Sequence, residues 1–111
     1  MAHFLAKQQL ITEEPMASTP DELTITYTED GIDIVKELDK KVLSKGAWTT
    51  LIFRYQEWNR AKEEYSKDKY SIRRYQKRNG EYQQKSKFNI SSPDQATQLI
   101  EALTEWVNAD S

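Results

Sequence analysis

The sequence predicts an α+β domain in which a run of antiparallel strands is followed by one C-terminal helix. Three observations carry this. Residues 23–90 hold short β-branched and aromatic stretches punctuated by Glu29-Asp30-Gly31, Lys45-Gly46 and Asn79-Gly80, the pattern of strands joined by tight turns. Residues 92–107 carry a helix-start signal and then an apolar repeat at helical spacing. A chain of 111 residues fits one small domain.

Taken in order, residues 1–22 hold two of the three prolines and no sustained period. They read as an acidic, flexible N-terminal segment, with a short helical or strand piece at Phe4–Ile11, and the folded domain is expected over 23–111. Leu23–Thr28 alternates as a strand. Ile32–Ser44 places Ile32, Ile34 and Leu38 on one side and then Val42-Leu43, which fits a bulged strand. Ala47–Trp58 is the strongest strand: rich in β-branched and aromatic residues, it contains no Gly or Pro. One of its faces is Ala47, Thr49, Leu51, Phe53 and Tyr55; the other is Trp48, Thr50, Ile52, Arg54 and Gln56.

Asn59–Asp68 is a charged connection, longer than a usual hairpin loop. Lys69–Lys77 and Glu81–Ile90 are strands joined by Asn79-Gly80, a two-residue hairpin signal. Tyr70, Ile72, Phe88 and Ile90 are expected inward. A stripe of Trp58, Ala61, Tyr65, Ile72 and Tyr75 also fits a charged helix over 57–78, but the Tyr70-Ser71-Ile72 alternation and the Asn79-Gly80 turn favour strands. Ser92-Pro93-Asp94-Gln95 supplies an N-cap serine, a proline at the first helical position and a capping-box glutamine. Ala96, Leu99, Ile100, Leu103 and Val107 follow as one stripe flanked by Trp106. The helix is expected to lie on the apolar face of the sheet and leave the other face open.

Composition narrows the function. There is no cysteine, and the one histidine is His3, which removes thiolate chemistry, Ser-His-Asp triads and two-histidine zinc sites. No apolar run approaches the roughly 18 residues of a membrane span, and no secretory signal is visible. These absences argue against an enzyme. They point to a soluble, intracellular protein without metal, cofactor or membrane partner. The net charge of −2 hides three blocks: −6 over residues 1–35, +8 over 36–90 and −4 over 91–111. The middle block is basic enough for a polyanion. With mean hydropathy at −0.88 the chain is polar even for a small domain, which favours an added tail or a dimer that completes a thin core.

The compound pattern Tyr70-Ser71-Ile72-Arg73-Arg74-Tyr75, Asn79-Gly80-Glu81-Tyr82, Lys85-Ser86-Lys87-Phe88-Asn89-Ile90 and Ser92-Pro93-Asp94-Gln95 with Leu99-Ile100 resembles the positive cofactor four (p15) family. These are transcriptional coactivators with bacterial relatives that bind single-stranded DNA. Lys45-Gly46-Ala47-Trp48 and Leu51-Ile52-Phe53-Arg54 look like the preceding strand, so the similarity covers about residues 31–107. Two departures stand out: the Glu57–Asp68 loop is long, and Gln76 occupies a position where the family often has a base-stacking tryptophan. Trp48, Trp58 and Tyr75 are the candidate substitutes.

The resemblance implies a curved, four-stranded antiparallel sheet with one C-terminal helix, paired into a homodimer. It also implies sequence-tolerant binding of single-stranded DNA in transcription, replication or repair, and no catalytic centre. Cations that track phosphates and rings that accept bases are what such binding needs. The candidate nucleic-acid residues are Lys45, Trp48, Arg54, Arg73, Tyr75, Lys77, Lys85 and Lys87. The candidate dimer contacts are Leu99, Leu103, Trp106 and Val107. Partners are then single-stranded nucleic acid, a second copy, and transcription or replication proteins. Alternatives are a protein-interaction module binding an acidic partner, and RNA binding. Arg73 has a plainer reading as the ion-pair partner of Glu57, Glu63 or Asp68, and Lys85 and Lys87 as the solvated guard of an edge strand.

Overall fold

The computed structural model describes residues 17–109. A one-turn 3-10 helix at Pro20–Glu22 leads into β1 (Tyr27–Glu29), β2 (Ile32–Ser44), β3 (Trp48–Asn59), β4 (Glu64–Tyr65), β5 (Lys69–Arg78) and β6 (Glu81–Ile90), and α1 (Pro93–Ala109) closes the chain. The strands form one curled antiparallel sheet in the order β1-β2-β3-β5-β6, with β4 paired to the end of β3. The α+β class and the C-terminal helix are as expected. Among the described residues the strands number six, where four were expected.

Both extra strands are short and local. Asp30 and Gly31 have φ of 53° and 80°, consecutive left-handed residues that fold β1 back on β2, as Asn79 and Gly80 at 53° and 79° fold β5 back on β6. The strand expected over Leu23–Thr28 is reduced to Tyr27–Glu29, because residues 23–26 leave the sheet plane. The long 57–68 connection is a small hairpin in its own right. Trp58 pairs with Tyr65, their rings meet edge-to-face at 5.0 Å, and the Tyr65 hydroxyl donates to the Asp33 carbonyl at 2.9 Å. Residues 57–78 are therefore not a helix, and the Trp58 ring is used in packing.

The pairing register decides where the core sits. Leu51 lies opposite Arg73, Phe53 opposite Ser71 and Thr49 opposite Tyr75, so the apolar face of β3 is shared with Arg73 and Tyr75. Tyr70, Ile72 and Phe88 fall on the other face with Ile52 and Arg54. The sheet thus has two half-apolar faces, where alternation within each strand suggested one. The first is covered by residues 17–26. Ala17, Leu23 and Ile25 pack with Leu51, Phe53, Tyr55 and Tyr75 to form the core, with Val35, Val42 and Tyr82 at its rim.

This covering segment, the strap, extends the folded domain below residue 23. The Tyr82 N–H donates to the Ala17 carbonyl at 2.8 Å. Lys40 Nζ donates to the carbonyls of Pro20, Asp21 and Leu23 at 3.2, 2.7 and 2.5 Å. The Glu37 carboxylate accepts from the Thr24 hydroxyl and the Ile25 N–H at 2.7 and 3.2 Å. The piece expected over Phe4–Ile11 lies outside the described residues.

At the strap's entry, the Glu22 carboxylate accepts the Ser18 and Thr19 N–H groups at 2.8 and 3.2 Å. These bonds, Ser18 first, hold its carboxyl below the ordinary glutamate value. A depressed pKa contributes stability above the unfolded value and loses it as pH falls through the folded one. Acidification past the ordinary glutamate range is therefore expected to release the Ser18 and Thr19 amides. Their NMR shifts titrate with a midpoint below that of a free glutamate, and Glu22→Gln abolishes the titration.

Helix α1 starts as its sequence dictates. Ser92 Oγ accepts the Gln95 N–H at 3.1 Å, and Gln95 Oε1 accepts the Ser91 N–H at 2.8 Å, a reciprocal cap. Its position differs from the expectation that it covers the sheet. It adjoins the end of β6, none of its residues is buried, and Ile100, Leu103, Trp106 and Val107 are exposed. The apolar side of β3 is already filled by the strap. Ile90, at the end of β6 on the second sheet face, is buried as expected, but the rest of that face is left open, with Phe88 54% exposed where it was expected inward. No helix among the described residues is long and apolar enough to cross a membrane.

Candidate nucleic-acid interface

The eight candidate binding residues do not share one surface. Arg73, Tyr75, Lys77 and Lys87 lie on the strapped face, as their pairing with Leu51, Thr49, Tyr82 and Arg73 requires. Trp48 and Arg54 alternate onto the opposite face. Lys45 is in the exposed β2–β3 turn, and Lys85 is the extra residue of a β6 bulge, between Gln84 opposite Tyr75 and Ser86 opposite Arg74.

Tyr75 is only 5% exposed and belongs to the core, so it offers no open stacking platform in this state. Burial pushes its hydroxyl pKa up, against the pull of the neighbouring Arg73 guanidinium. Trp48 is half-exposed with Arg74 stacked over its ring at 4.6 Å, and Arg54 is paired with Asp68 at 3.3 Å. Of the eight, these three are engaged elsewhere.

What remains uncovered on the strapped face is a lane along β5 and β6. Arg73 Nε donates to Ser71 Oγ and its Nη1 to Gln84 Oε1, each at 3.0 Å. Ser71 in turn donates to Asn89 Oδ1 at 2.7 Å. The guanidinium is therefore fixed by neutral partners. Elsewhere cations meet carboxylates: Arg54 with Asp68, Arg60 with Glu29 and Lys69 with Glu57. Arg73 forms no ion pair with Glu57, Glu63 or Asp68, the partners its plainer reading supplies.

The cation directly across from Arg73 is Lys87, and among the described residues no carboxylate forms an ion pair with either. Like charges facing each other across a ladder are destabilising. Lys77 is next along the lane, with its ammonium 5.5 Å from the centre of the Tyr82 ring. A row of positive charge with polar donors between is suited to oxyanions spaced along a chain.

Sequence alternation missed Lys40 and Gln84, and it placed Asn89 outward beside Lys87 without marking it as a site residue. Lys40 sits beyond a bulge in β2 where Leu38 has no partner and the register slips, so counting by twos assigns it the wrong face. Gln84 and Asn89 are uncharged and carry no signal apart from the arginine they support.

No family model, curated protein or solved structure matches this chain.

Proposed function

We propose that the protein is a sequence-tolerant binder of single-stranded nucleic acid, DNA in preference to RNA, of the kind the p15-like resemblance implies. The observation that carries this reading is the Arg73–Lys87 pair. Two cations held face to face, one of them locked in place by Ser71 and Gln84, cost stability that a phosphate passing between them returns. Lys77 extends the path, and the reading assigns no residue a catalytic step. Service in transcription, replication or repair follows from the resemblance.

The same reading includes a homodimer. The open part of the second sheet face presents Trp48 and Phe88 beside a hollow of about 280 Å³ lined by Asp39, Lys41, Ile52, Arg54 and Tyr70, among others. The helix presents Ile100, Leu103 and Trp106 to solvent. A second copy supplies each of these surfaces with the other, in an isologous contact.

Fluorescence anisotropy of labelled oligonucleotides tests the interface. The parent is expected to favour single-stranded over duplex DNA, with affinity falling as salt rises. Arg73→Ala should weaken binding about tenfold and make the log–log salt slope shallower by about 0.7, the coefficient for one phosphate on a single strand. Trp48→Ala, on the opposite face, should leave affinity within about twofold, since a stacked ring would cost about 1–3 kcal/mol. An RNA oligonucleotide of the same sequence reads the preference for deoxyribose. Equal binding by the parent and Arg73→Ala would remove the lane from the account.

A further inference from the structure

We infer that residues 17–26 are a displaceable strap occupying a second, deeper part of the binding site, and that a bound single strand takes their place. The inference rests on the nucleic-acid reading above. Beneath the strap lie the rings of Phe53, Tyr55 and Tyr75. On the same face, in register with Tyr75 and Phe53, are two small, fully buried hydroxyl residues, Thr49 and Ser71. Lys40 stands on one side of this floor, in register with Phe53, and Arg73 on the other, in register with Leu51. Rings in the middle with cations on both flanks are what a single strand requires.

The strap holds this floor by means that can be exchanged. Residues 23–26 form no strand ladder with the sheet. Their attachments to β2 run through side chains: Glu37 to Thr24 and Ile25, and Thr26 Oγ1 accepting the Glu37 N–H at 3.3 Å. Lys40 is satisfied by three carbonyl oxygens of the strap, a cluster of acceptors that phosphate oxygens can replace with a stronger, charged partner. Only three strap residues, Ala17, Leu23 and Ile25, enter the core, and stacked bases would shield the same rings from water. Asp21 and Glu22 give the strap the same sign of charge as the strand that displaces it.

Because strap and strand compete for one floor, the apparent affinity is the intrinsic one reduced by the fraction of molecules with the strap undocked. Amide hydrogen exchange on the full chain, with and without saturating oligothymidylate, tests this. Binding is expected to raise the exchange rates of the Ile25 and Tyr82 amides, which are bonded to Glu37 and Ala17, by about tenfold or more. The double variant Leu23→Ala/Ile25→Ala, with a loosened strap, should bind several-fold more tightly. Oligonucleotide bound with both amides still protected would overturn the inference and leave the β5–β6 lane as the whole site. An intact protein that binds no oligonucleotide at all would overturn the functional reading and the inference with it. The exchange result on the unaltered chain decides the matter even if the variant does not fold.

Discussion

Phe53→Ala is expected to lower the unfolding free energy by about 3–5 kcal/mol, the range for truncating a buried phenylalanine. Phe53 has no exposed surface, and its ring lies between the strap and the sheet in the core cluster. Small domains hold about 5–15 kcal/mol in all, so the loss is a large share of the total. Ile52, one residue away on the opposite and uncovered face, should cost distinctly less when cut to alanine. Urea titrations of the two variants measure the difference. A Phe53→Ala loss no larger than that of Ile52→Ala would mean that the strap and sheet do not form the principal core.

The second large effect concerns self-association. Leu103→Asp combined with Trp106→Asp places two charges on the apolar stripe of α1, at positions 54% and 66% exposed. If that stripe seats on a second copy, the dissociation constant rises by about a hundredfold or more, equivalent to about 2.7 kcal/mol. Helix content should persist, because no residue of α1 is buried in the protomer. Sedimentation of parent and variant at micromolar concentration reads the change. A parent that is already a monomer there would remove the dimer from the proposal.

Parts of the structure whose causes are local were legible in the sequence. The Ser92-Pro93-Asp94-Gln95 start, the Asn79-Gly80 turn and the bulged character of Ile32–Ser44 are each decided within a few residues, and each is found. The partnership of the two sheet faces was not legible. Whether Leu51 meets Arg73 or Arg74 depends on where β5 docks on β3, with a charged hairpin in between, and alternation within either strand is the same in both registers. The expectations that Tyr75 lies open on its face and that Phe88 points to the interior both turned on that one choice. The strap was illegible for a different reason. Residues 17–22 have neither a helical nor a strand period, the alternation of Leu23 and Ile25 reads as one more strand of the sheet, and both acquire their role only from the groove they enter. At the interface, Arg73 could be found from its place in a basic alternating strand. The neutral groups that fix it, Ser71 and Gln84, have no charge or motif to mark them.

The bond from the Tyr82 N–H to the Ala17 carbonyl joins the strap to the last strand of the sheet, which sets an order of events for folding. The β1–β2, β3–β4 and β5–β6 ladders are hairpins between chain neighbours and close at little entropic cost. The strap cannot seat Leu23 and Ile25 until β2, β3 and β5 have assembled its groove, and it cannot reach Tyr82 until β6 is in place. Its docking is therefore the late step, and the longest chain separation in the core is closed after the local ones. A side chain that touches only the strap should change the rate of unfolding while leaving the rate of folding nearly constant.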